Sequence, residues 1–100
     1  MIEVPTLKYL MECYYHQDFY EFDGTEWGAL DEFLSRDSSL APKLPAEIAV
    51  VLAHVETESE LADFVAQLGA QVHWDDTPGG YRGWLAEIAR RVSTHLAMTA

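Results

Sequence analysis

Leu7, Leu10, Met11 and Tyr14 recur at the three-and-four spacing that puts side chains on one face of an α-helix. Pro5, a favourable first-turn residue, stands just ahead of them, so the pattern predicts a first helix from about Pro5 to His16. Cys13 reads as a small buried residue on that helix, whereas Tyr15 falls off the apolar stripe and is expected at an interface. Lys8 and Glu12 are four apart in the less favourable order for an ion pair. From Gln17 to Gly24 the period lapses, and Phe19-Tyr20-Glu21-Phe22 reads as an aromatic loop folded back on the core. Asp23 followed by Glu26 resembles a capping box, with Thr25 as the rival N-cap. Trp27, Leu30, Phe33 and Leu34 mark a second helix, which should end near Arg36 ahead of the turn formers Asp37-Ser38-Ser39 and Pro42.

Pro45 can open a third helix whose buried face is Ile48, Val51, Leu52 and Val55. Ala46, Ala49 and Ala53 would allow close helix approach, and Val50 widens the apolar surface. Thr57-Glu58-Ser59-Glu60 fits a capping box for a fourth helix carrying Leu61, Phe64, Val65 and Leu68, which Gly69 should end through a left-handed residue. The short link after Val55 implies an antiparallel hairpin of helices three and four. Gln71 to Trp74 can be extended, and Asp75 to Gly80 is a turn into a last helix with Tyr81, Trp84, Leu85, Ile88, Val92 and Leu96 inward. Arg90 and Arg91 would complement its dipole, with Ala97 to Ala100 frayed. The fold expected is all-α, a single compact domain of about five helices spanning residues 1–100.

Charge changes this picture more than composition does. Hydrophobic residues at 49% suffice for one core, but 17 acidic against 6 basic side chains leave a formal charge of -11. Phosphate contacts need Lys and Arg, so direct nucleic-acid binding and anionic-membrane binding are disfavoured, while a basic protein partner is allowed. Solubility alone could also explain the acidity. One cysteine permits neither an intramolecular disulfide nor a cysteine zinc cluster, and Met1 to Pro5 lacks the basic region and apolar run of a signal peptide. The expectation is a soluble, cytoplasmic protein.

No sequence motif announces catalysis. His16 and Asp18 share no helical face, and His54, His73 and His95 lie on separate elements, so no metal and no cofactor is expected. There is no glycine-rich phosphate loop and no nucleophile elbow. Carboxylates at helix starts are explained by the dipole, which covers Asp23, Glu26, Glu58 and Glu60. Asp18, Glu21, Asp31, Glu32, Asp75 and Asp76 are left without a local role. Together with Asp23 and the aromatic anchor Tyr20, they are the candidate partner-binding residues of a non-enzymatic protein.

An N-terminal helix with Leu7 and Leu10 leads into Tyr15-His16-Gln17-Asp18-Phe19. Glu47-Ile48 opens a helix, Glu58-Ser59-Glu60-Leu61 precedes Leu68-Gly69, and Tyr81-Arg82-Gly83-Trp84-Leu85 begins the close of the chain. In these features the sequence resembles the small immunity proteins of bacterial contact-dependent growth inhibition systems. The resemblance implies binding and neutralisation of a cognate toxin C-terminal domain, commonly a nuclease with a cationic surface, by occlusion without catalysis. Two other readings stand beside it: an acidic helical adaptor or subunit, and a small hydrolase using His16 with Asp18.

Overall fold

The apolar stripes become helices that share one core. In the computed structural model the described residues are 3–15, 26–69 and 79–99. They form α1 (Pro5–Tyr14), α2 (Glu26–Arg36), a 3-10 turn (Ala41–Lys43), α3 (Leu44–His54), α4 (Glu58–Gln67) and α5 (Gly80–Thr99), with no strand among them. The expected all-α architecture is therefore present. The aromatic loop, the Asp23 or Thr25 cap, the extended Gln71 to Trp74 segment and the Asp75-Asp76 turn lie outside the described residues.

α5 is the spine. Its Tyr81, Trp84, Leu85, Ile88 and Val92 are buried along one face, and it packs most closely on α3, then on α4 and the 3-10 turn. α1 closes the other side of the core by packing on α2 and α3, with Leu7, Leu10 and Met11 fully buried. Because α5 is the common partner, α3 and α4 meet each other only weakly, which corrects the expected hairpin.

Four further expectations need correction. Tyr15 is wholly buried, not exposed at an interface: the chain leaves the helix there, at φ -112 and ψ 32, and the ring stands edge-on to Trp84 at 5.0 Å. Cys13 is exposed, because Tyr14 takes the last inward position of the stripe. Ala46, Ala49, Val50 and Ala53 face outward, so α3 is apolar on its solvent side as well. Finally, α5 runs on to Thr99, which places Arg90 and Arg91 mid-helix, where Glu87 engages both.

Helix ends are satisfied across the fold. Val4 offers α1 no side-chain cap, and the Leu7 N–H instead donates to Glu47 Oε1 of α3 at 2.9 Å. The Thr57 hydroxyl accepts the Glu60 N–H at 3.1 Å, the cap read from sequence. The first amides of α5, those of Tyr81 and Arg82, donate to the Glu58 carboxylate of α4. Arg82 then sends its guanidinium to the carbonyls of Leu52, at 2.9 Å, and Val55, which closes the C-terminal end of α3. One strand of polar contacts thus fastens α3, α4 and α5 at a common corner.

Two glycines are demanded by this packing. Gly69 ends α4 at φ +108, where a Cβ would lie 2.7 Å from Glu12 Cγ of α1. Gly80, at φ +56, leaves the room that the Glu58 carboxylate occupies.

Beyond α2, Asp37 accepts hydrogen bonds from the Tyr14 hydroxyl at 2.6 Å and the Tyr9 hydroxyl at 3.1 Å. Burial first, then the bond to Asp37 and its charge, push the Tyr14 phenol well above its ordinary value; for Tyr9 the bond to Asp37 leads. A folded value above the unfolded one means that the contribution to stability is complete below about pH 10 and is lost as the phenols ionise in the fold. In an ultraviolet titration of the folded chain, Tyr14 should therefore ionise after the more ordinary tyrosines, and Asp37→Asn should shift the late phase to lower pH. A single phase near pH 10 in both proteins would refute the contact.

Candidate functional site

The fold engages most of its cations with its own carboxylates and carbonyls. Of the six basic side chains, Lys8 pairs with Glu12, Arg36 with Glu32, and Arg90 and Arg91 with Glu87, while Arg82 is spent on the α3 carbonyls. The Arg90 hydrogen bonds, with Arg91 adding to them, hold the Glu87 carboxyl down to about 2. These exposed ion pairs stabilise the fold little, and because each sets a carboxylate beside a cation they leave the net charge of -11 as it is.

Carboxylates divide into those with structural work and those without. Glu47 and Glu58 cap other helices, and Asp37 holds two phenols. Glu60 accepts the Thr57 hydroxyl at 3.0 Å in the α4 cap, whereas Asp31, Glu56 and Asp63 are exposed. Of the residues that the sequence nominated for partner binding, Asp18, Tyr20, Glu21, Asp23, Asp75 and Asp76 lie outside the described residues. Glu32 does have a local role, its i,i+4 pair with Arg36.

Two surface grooves accompany these groups. The first, about 360 Å³, runs between α2 and the later half of α5 and is lined by Asp31, Leu34, Arg90, Arg91, Thr94, His95 and Met98. Asp31 sits there opposite two guanidiniums, so its field is offset locally. The second, about 270 Å³, lies between the end of α3 and one face of α4 and is lined by Val55, Glu60, Asp63, Phe64 and Gln67. It has two carboxylates and no cation in its lining.

Sequence reasoning missed this second site because Phe64 falls on the α4 stripe with Leu61, Val65 and Leu68. In the fold those three are buried while Phe64 is only half-buried. The signal available was the offset: Glu60, Asp63, Phe64 and Gln67 stand at three-and-four spacing on the adjoining face.

Nothing in the described residues resembles a reacting constellation. Among them no three His, Cys, Asp or Glu side chains are grouped so as to hold a metal ion. Partial desolvation, then the charges of Glu12 and Asp37, push the Cys13 thiol up, opposite to the direction that activates a nucleophile. No helix among the described residues is long and apolar enough to cross a membrane.

No curated protein and no solved structure matches the chain. The sequence model of the CdiI immunity protein family matches residues 3–92, from just before α1 to Val92, the last fully buried position of the α5 stripe. That span takes in every helix of the core, and the chain belongs to the CdiI immunity protein family, whose members neutralise the toxins of contact-dependent growth inhibition.

Proposed function

We propose that the chain neutralises a basic toxin domain, a nuclease being the class that fits best, by covering its functional surface without chemistry. The observation that carries this reading is a net charge of -11, from 17 acidic against 6 basic side chains, on a compact helical fold. A nuclease must display Lys and Arg to hold a phosphate backbone, and carboxylates are the groups that can occupy those positions in its place. Asp31 is exposed in support of such a role, and Asp18, Tyr20, Glu21, Asp23, Asp75 and Asp76 are proposed to extend the contact surface. Glu32 would contribute only by exchanging its Arg36 partner. The compartment proposed is the cytoplasm, where an incoming toxin would meet its substrate.

Titration separates occlusion from catalysis. Activity of the toxin domain encoded by the adjacent upstream reading frame should fall linearly and vanish at one equivalent of this chain. Loss at far lower ratios would mean that the toxin is destroyed by turnover, and undiminished activity at tenfold excess would remove the reading and leave the adaptor hypothesis.

A further inference from the structure

The geometry points to the α3–α4 groove as the place where the toxin inserts a lysine or arginine side chain, an inference that rests on the immunity reading and deepens it. The groove floor is apolar, made by Val55 and the half-buried ring of Phe64, and its rim carries Glu60 and Asp63 with the Gln67 amide one turn further along. Long basic side chains are amphipathic in the same order: a methylene stem that gains from apolar contact, and a cationic head that needs acceptors. Charge complementarity excludes the other candidates for the same space. An acidic side chain would be repelled, and a wholly apolar one would desolvate the carboxylates of Asp63 and of Glu60, which has the Thr57 hydroxyl, without offering either a counter-charge.

Comparison with the α2–α5 groove sharpens the assignment. That groove is larger, but Arg90 and Arg91 line it opposite Asp31, so it offers no net attraction to a cation. The α3–α4 groove is also held ready. Arg82 fixes the Val55 carbonyl on one wall, and the Thr57 cap fixes the first turn of α4 on the other. Walls that are ordered before binding need not be ordered by it, which favours a long-lived contact.

Binding of the cognate toxin domain to surface-charge variants tests this, with melting temperature followed in parallel. Asp63→Lys should weaken the complex roughly tenfold to a hundredfold without lowering the melting temperature, and Gln67→Lys, on the same face, should do so as well. Glu3→Lys, at an exposed position outside both grooves, should leave affinity within about threefold, the size of an ordinary rim charge. If either α4 variant keeps its melting temperature and loses affinity while Glu3→Lys does not, the groove is supported. If the parent binds tightly and both α4 variants bind equally tightly, the groove assignment is overturned while the immunity reading survives. If the parent itself fails to bind, both fall.

Discussion

Glu58→Lys should lower the melting temperature by roughly 10–20 °C, although residue 58 lies on the surface of a strongly acidic protein where a lysine would be expected to relieve repulsion. The reason is the corner that this carboxylate holds. It accepts the first amides of α5 at Tyr81 and Arg82, and the Arg82 side chain in turn closes α3 through the Leu52 and Val55 carbonyls. Loss of an N-terminal cap costs about 1 kcal/mol, a charge-assisted bond lost with it adds a similar amount, and a cation at the positive end of a helix dipole adds a further fraction. The sum is about 2–3 kcal/mol from a domain whose whole stability is of the order of 5–15 kcal/mol. Glu58→Gln keeps an acceptor and should cost about 1 kcal/mol. A Glu58→Lys protein that melts with the parent would show that the corner does not fasten the helices. Loss of protection in this variant would accordingly report on folding, so reversal of Glu58 cannot be used to map a toxin contact.

The same corner explains what could and could not be read from the chain. Each helix was legible because burial imposes a period on neighbouring residues, as in Leu7, Leu10, Met11 and Tyr14 or in Tyr81, Trp84, Leu85, Ile88 and Val92. The Thr57 cap was legible because both partners lie within one turn. Glu58 looked like part of the α4 start, and its service to α5 spans 23 residues; Glu47 reaches Leu7 across 40. Spacing carries no trace of such pairings, since only the tertiary arrangement brings them together. Even so, Glu47, Glu58 and Arg82 stand within the short strings on which the family resemblance rested, and the fold gives each of them a structural task.

The candidate site was less legible for a related reason. An acidic side chain on a helix surface looks the same in sequence whether a cation stands opposite or not. Asp31 and Asp63 differ only in what the fold sets beside them, two arginines in one case and an aromatic floor in the other. Tyr15 and Phe64 were misread through the same gap, since the chain leaves the helix at Tyr15 and the tertiary packing alone decides how far each ring is covered.

The second large effect concerns the encounter with the toxin. A field set by a charge of -11 should draw in a basic protein over distances comparable with the Debye length. That length is about 30 Å at 0.01 M salt and about 3 Å at 1 M. Steering of this kind raises association rates by about 10- to 1000-fold, and short-range packing, which governs dissociation, is far less sensitive to screening. The measurement that bears most directly on this account is therefore the association rate constant of the chain with its cognate toxin domain across that range of sodium chloride. A fall of at least about tenfold, with the dissociation rate nearly unchanged, is the predicted result; an association rate that stays level from the lowest to the highest salt would contradict it.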